Sequence, residues 1–210
     1  MSRAPADTLV VRTGAANVAS VIAGLERLEL TCALTDAAGD LLDAPRVVLP
    51  GVGAFEGVAR SLHDSGVAET LRKRINQGRP TLAVCLGMQL LFESSDEGAG
   101  AGLGVAEGRV RRFDAPELRV PQMGWNLVRA PAEARFLTDG YAYFANSYRV
   151  THPPSGWSSA IADHAGPFVA AIERDAVLAC QFHPELSGAW GRSLLERWVA
   201  RSRELETAPC

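Results

Sequence analysis

The sequence predicts a three-layer α/β fold, with a central, mostly parallel sheet that becomes more antiparallel in its C-terminal part. Up to about residue 104, short apolar runs alternate with stretches whose apolar residues recur at helical spacing, the pattern of strands joined by crossover helices. Beyond that point, strand-like runs follow one another across Pro- and Gly-containing breaks. No internal repeat, charge block or long linker interrupts the chain, so residues 1–210 read as one domain.

Residues 8–12 read as the first strand, and Asn17 as the N-cap of a helix carrying Val18, Val21, Ile22, Leu25 and Leu28. Apolar runs at 30–34 and 46–49 give two more strands, the second ending in a turn with Gly51 and Gly53. Residues 54–76 place Val58, Leu62, Val67, Leu71 and Ile75 at helical spacing, with a break near Asp64-Ser-Gly66. The run Pro80-Thr-Leu-Ala-Val-Cys85-Leu-Gly-Met-Gln89 reads as strand, sharp turn and helix. Met88, Leu91 and Phe92 fall on one helical face, Gln89 and Glu93 on another. Later strands are expected at 108–113, 126–129, 141–145, 160–163, 168–172 and 176–181, with loops at 153–156 and 162–166. Residues 187–205 close as an amphipathic helix with Leu194, Leu195, Trp198 and Val199 inward.

A chain of 210 residues with 47% apolar content can bury a substantial core. Its net charge of −3 offers no basic footprint for nucleic acid or an anionic membrane. No apolar run approaches the roughly 20 residues of a membrane helix, and the first residues lack the apolar core of a secretory signal. The four cysteines (Cys32, Cys85, Cys180, Cys210) show no CxxC spacing and no close histidine partner, which argues against a metal site. Wide spacing favours reduced thiols in a cytoplasmic protein, with Cys32 and Cys180 in the core and Cys210 exposed. With no P-loop and no GxGxxG, no nucleotide site and no cofactor is expected.

Two segments carry candidate chemistry. Cys85 sits where a strand breaks into a helix, the nucleophile-elbow layout with sulfur in place of oxygen. A helix N-terminus favours the ionised thiol, which is the nucleophile. In Leu178-Ala-Cys-Gln-Phe-His183-Pro-Glu185, His183 and Glu185 are two apart on a strand and so face one side. The carboxylate can then hold one ring nitrogen while the other faces a thiol, and Pro184 suits a strand end. Strand ends are where open α/β sheets put their chemistry.

Together these segments resemble the class I (triad-type) glutamine amidotransferases, whose fold is flavodoxin-like. Within that group the chain is similar to the glutaminase subunits of imidazole glycerol phosphate synthases of histidine biosynthesis. The runs that carry the resemblance are Pro50-Gly-Val-Gly-Ala-Phe55, Cys85 to Glu93, Pro121-Gln-Met-Gly-Trp-Asn126, Tyr143-Phe-Ala-Asn-Ser-Tyr148 and Gln181-Phe-His-Pro-Glu185. The resemblance implies a Cys85–His183–Glu185 triad that hydrolyses L-glutamine, and a (β/α)₈-barrel cyclase partner in a heterodimer that uses the ammonia. It implies an oxyanion hole from Leu86 and the Gly51–Val52 peptide, whose flip would gate activity, beside Gly53. Gly53, Gln89 and Glu97 would recognise the substrate, Glu97 near the end of the elbow helix and with Asp96 as its stand-in. Backbone groups of Asn146, Ser147 and Tyr148 would hold the substrate carboxylate. Asn17, Trp125 and Asn126 would lie at the partner face.

Four departures stand out. The first βα turn reads Arg12-Thr-Gly-Ala-Ala-Asn17 where the family has Asp-Tyr-Gly-x-Gly-Asn, and Ala83 replaces the elbow's first glycine. Asn146 stands where histidine is common and Leu186 where lysine usually follows His-Pro-Glu. The competing readings are a glutaminase subunit of another pathway, a silent partner-binding homologue, or an elbow-cysteine hydrolase.

Overall fold

A computed structural model describes residues 6–13, 18–51, 53–114 and 116–207. Seven strands form the main sheet: β1 (Thr8–Val11), β2 (Cys32–Thr35), β3 (Arg46–Leu49), β4 (Thr81–Val84), β11 (Ser158–Asp163), β12 (Pro167–Arg174) and β13 (Val177–Cys180). Their order is β11-β12-β13-β4-β3-β1-β2. Every pair from β13 to β2 is parallel, and the antiparallel hairpin β11–β12 extends the sheet beyond β13.

β3, β4 and β13 are buried at every position, so both faces of the sheet's middle are covered, as parallel sheets require. Along β4, Ala83 packs into one core while Leu82 and Val84 pack into the other. The first core is closed by α3 (Phe55–Asp64) and α4 (Val67–Asn76), and by Leu41 of the short α2 (Ala38–Leu41). The second is closed by α1 (Ala19–Glu26) and α6 (Gly188–Thr207), where Leu194, Leu195, Trp198 and Val199 are all buried. The break expected near residue 66 separates α3 from α4 at Gly66, whose φ of 75° suits a residue without a Cβ.

Five expectations need correction. The helix after Cys85 is one turn, α5 (Leu86–Gln89), instead of running past Glu93. The carbonyls of Leu90, Leu91 and Phe92 accept from the backbone N–H groups of Leu103, Val105, Ala106 and Gly104, so the loop between β6 and β7 replaces the helical ladder. Leu90, Leu91 and Phe92 are all fully buried, so their spacing records burial on every side and not a helix face.

The strands beyond residue 104 do not share one sheet. β7 (Arg109–Arg112) joins β5 (Ser94–Ser95), β6 (Gly98–Ala101) and β10 (Tyr148–Arg149) in a four-stranded sheet. β8 (Gln122–Val128) and β9 (Gly140–Asn146) pair as a separate ribbon. Period-two patterning marks a strand but not its partner. Cys32, expected in the core, is half-buried because β2 is an edge strand. Ala162 and Asp163, which fall in both an expected strand (160–163) and an expected loop (162–166), end β11, and the turn is His164–Gly166 with Ala165 at φ 53°. Asn17 and Cys210 lie outside the described residues. Val18, which makes no side-chain cap, occupies the N-cap position of α1.

Among the described residues no helix is long and apolar enough to cross a membrane, and no cluster of His, Cys, Asp and Glu is arranged to hold a metal.

Candidate active site

Three neighbouring strands, β3, β4 and β13, bring their carboxyl ends together, and each delivers one part of the site. Cys85 follows β4 directly with φ 55° and ψ −112°, a conformation that costs a non-glycine residue about 1–3 kcal/mol. The surrounding backbone holds it there: its N–H donates to Cys180 O at 2.7 Å and its carbonyl accepts from Gln89 N–H at 3.2 Å. Two glycines make room for the turn. A Cβ on Gly51 would sit 2.2 Å from Gly87 N, and one on Gly87 would sit 2.0 Å from Leu49 O. The end of β3 and the start of α5 thus pack backbone to backbone, which only glycine permits.

His183 lies three residues past the end of β13. Its N–H donates to Tyr143 O at 2.9 Å, tying it to β9. Glu185 does not reach it along a strand, as the spacing suggested, because Pro184–Leu186 forms a 3₁₀ turn. That turn swings the carboxylate back, so that His183 Nδ1 and Glu185 Oε1 are 3.0 Å apart. Nδ1 is then engaged and Nε2 is left for Cys85. Burial alone would lower the His183 pKa, but hydrogen bonds to Cys85 and Glu185 and the charges of both raise it to about 10. Ser187 braces the turn, its hydroxyl donating to His183 O at 2.6 Å and accepting from Tyr143 N–H at 3.0 Å.

Helix α1 supports Glu185 from behind. A Cβ on Gly24 would lie 2.8 Å from Glu185 Cβ and 3.6 Å from its Cα. Glycine inside a helix ordinarily costs roughly 0.5–1 kcal/mol relative to alanine. Gly24→Ala is nevertheless expected to lower glutamine turnover at least tenfold while far-UV helicity is unchanged or higher. Wild-type turnover in that variant would show that Glu185 tolerates displacement.

Cys85 and His183 open onto a cavity of about 260 Å³, below the roughly 300–1,000 Å³ of drug-sized sites and suited to an amino acid. Gly51, Gly53, Leu86 and Gln89 line it on the elbow side. Glu97, Ala145, Asn146, Ser147 and Tyr148 complete its lining. Glu97 does not sit at the end of the elbow helix; it occupies the turn between β5 and β6, where its Oε2 accepts from Phe55 N–H at 2.9 Å. Asp96 is held away from the cavity by Arg109 at 2.6 Å, a hydrogen bond that also keeps its carboxyl below the usual range. Of the two acids considered, Glu97 is the one that lines the cavity. Asn146 Nδ2 donates to Tyr148 O at 2.9 Å and fixes the backbone there.

Val52 lies outside the described residues. Trp125 is 58% exposed on the outer face of the ribbon β8–β9, far more open than a core tryptophan. Asn126, expected beside it at a partner face, points to the other side of β8, where its Nδ2 donates to Asp163 O at 2.8 Å. Its role is to staple β8 to β11, and strand alternation could have separated it from Trp125. Sequence reasoning also missed Gln181, a buried side chain whose Nε2 donates to Cys85 Sγ at 3.7 Å. The available signal was one polar residue directly following the apolar run of β13.

A strained cysteine elbow beside a histidine–glutamate pair at the carboxyl edge of a parallel sheet agrees with comparison to known families. The model of the class-I glutamine amidotransferases matches residues 16–201, and the chain belongs to that family. It is 41% identical to imidazole glycerol phosphate synthase subunit HisH of Deinococcus radiodurans, over 98% of this chain and 97% of that protein. It is 42% identical to imidazole glycerol phosphate synthase hisHF, chloroplastic, of Arabidopsis thaliana, over 89% of this chain and 33% of that one. Within the wider family the chain thus falls among the HisH subunits of imidazole glycerol phosphate synthase, of histidine biosynthesis. A crystal structure of a glutamine amidotransferase shares the fold, with a TM-score of 0.73 at 18% identity, over 93% of this chain and 98% of that one.

Proposed function

We propose that the chain hydrolyses L-glutamine to glutamate and ammonia through Cys85, His183 and Glu185, and passes the ammonia to a cyclase subunit. The observation that carries this is the His183 imidazole, held by Glu185 on one side and sharing one cavity with the Cys85 thiol. Cys85 Sγ attacks the carboxamide carbon, and the new oxyanion is received by Leu86 N–H together with the Gly51–Val52 peptide. His183 gives its Nε2 proton to the departing ammonia, leaving a glutamyl thioester. The neutral imidazole then takes a proton from water as it attacks the thioester, and glutamate leaves as the thiolate reforms. Glu97 pairs with the substrate ammonium, Gln89 faces its amide, and the 146–148 backbone receives its carboxylate.

The proposed partner is a (β/α)₈-barrel cyclase that turns an aminoimidazole ribonucleotide precursor into imidazole glycerol phosphate and AICAR, the lyase half of a cytoplasmic heterodimer. The Arabidopsis relative supports this, because the chain matches only a third of a longer imidazole glycerol phosphate synthase polypeptide. An exposed apolar face supports it as well: Met123, Trp125 and Tyr141 are each more than half exposed, and Leu186 nearly so. On the ribbon the first three share one side by strand alternation, and Trp125 meets Tyr143 edge to face at 6.3 Å. Tyr143 O is also the acceptor of His183 N–H, so the strand that carries part of the docking face is bonded directly to the catalytic histidine.

Such an anchor is worth about 2 kcal/mol or more, so Trp125→Ala is expected to weaken association roughly 30-fold. Cyclase-stimulated glutamate release should fall with it, while the basal rate of the free chain is unchanged. The reading as a whole is tested by glutamate release with and without a barrel cyclase and its nucleotide ligand. A large stimulation supports it. Full activity of the free chain would instead point to an independent hydrolase.

A further inference from the structure

Gln181 follows β13 directly and stands beside Cys85 in the sheet, since Cys180 pairs with Val84. Its side chain is 1% exposed and bonded at both ends. Nε2 donates to Cys85 Sγ at 3.7 Å, and Oε1 accepts from Gln89 Nε2 at 2.9 Å. Its own N–H donates to Ala170 O at 2.8 Å, so the backbone beneath the amide is fixed. With Gln89 as placed, the reverse orientation of the Gln181 amide would set two N–H groups against each other and an oxygen against the thiolate. A single buried amide therefore links the nucleophile to a residue of the cavity wall.

We propose that Gln181 is a further catalytic residue, whose side-chain N–H holds the Cys85 sulfur through turnover while its carbonyl sets the Gln89 amide. This rests on the reading of Cys85 as the nucleophile. The thiolate has two donors, His183 and Gln181, and they behave differently. His183 gives its proton to the leaving ammonia, so it is neutral in the thioester and regains a proton only as water attacks. A carboxamide does not titrate, so the Gln181 N–H remains in both states of the imidazole. In the second half-reaction water adds to the thioester, the C–S bond breaks and its electron pair returns to sulfur. A donor already aimed at that sulfur stabilises the developing thiolate without reorganisation. The other end of the amide fixes Gln89 by taking its N–H, which leaves the Gln89 carbonyl oxygen to accept from a substrate carboxamide.

Gln181→Met keeps the volume and removes the donor. Near neutral pH it is expected to slow iodoacetamide alkylation of Cys85 about tenfold, the worth of a hydrogen bond to a charged group, and to lower kcat by at least as much. Iodoacetamide needs no contact with Gln89, so this slowing reports the sulfur contact alone. The single variant leaves Gln89 Nε2 without its partner. The double variant Gln89→Met/Gln181→Met removes both ends of that bond, restores the unfolding midpoint, and should remain as slow toward iodoacetamide. Wild-type alkylation in either folded variant would overturn the proposal, even if glutamine turnover fell. A wild-type Cys85 that resists both iodoacetamide and a glutamine-shaped electrophile would instead remove the underlying assignment of the nucleophile.

Discussion

Cys85→Ala is expected to abolish glutamine hydrolysis, by a factor on the order of 10⁶ if nucleophile removal here resembles other covalent catalysts. In the assembled complex, synthesis from added ammonium salts should survive, because the cysteine serves only to release ammonia. Loss of both activities would make Cys85 structural. The companion measurement is peptide mapping after reaction with a diazo-oxo-norleucine, which should label Cys85 and spare the other described cysteines. Burial holds the Cys180 thiol well above its usual pKa, with Glu185 and Glu173 adding to it. Burial also pushes Cys32 up to about 11, with Glu26 and Asp7 adding. Both stay protonated at neutral pH and lack the thiolate that reacts. A label found mainly on either of them would reject the assignment.

What the sequence made legible was set by how local each feature is. The elbow, β3 with its glycine turn and the α3–α4 break each depend on a few adjacent residues, and their positions follow from spacing and glycine placement. Sheet membership did not follow, because β7 and β8 look alike as apolar-polar alternation and differ only in which distant strand they meet. The length of α5 was hidden for a related reason. Its would-be second turn gives its carbonyls to residues 103–106, a contact that no local pattern encodes.

At the site, the identities of the reacting groups were readable but not the path that joins them. His183 and Glu185 meet through a 3₁₀ turn that Pro184 starts, where strand alternation had suggested a simpler route. Gln181 opens the Gln181-Phe-His-Pro-Glu185 run, but the run does not show what its side chain meets and so gives it no role. Its contact becomes visible only when β13 is placed next to β4.

Glu185→Gln is expected to lower kcat by roughly 10²–10⁴, as exchanging the carboxylate of a catalytic triad for an amide does elsewhere. The Glu185 side chain is only 2% exposed, and Gly24 leaves it no room to move aside. The neutral amide removes one of the charges that hold the His183 proton, so the His183 pKa should fall from about 10, as an imidazole NMR titration would record. The consequence for stability has a definite sign. His183 keeps its proton in the folded chain well above the usual value near 6.5, so its contribution is complete below that pH. Between about 6.5 and 10 the folded chain holds a proton that the unfolded chain has released, and stability falls as pH rises. Urea unfolding should therefore show a steeper loss toward pH 10 for the wild type than for Glu185→Gln, whose window is narrower. Alkylation of Cys85 should remain possible in the variant, since the elbow does not depend on the carboxylate. Unchanged glutamine turnover together with an unchanged His183 titration would take Glu185 out of the mechanism and leave a cysteine–histidine dyad.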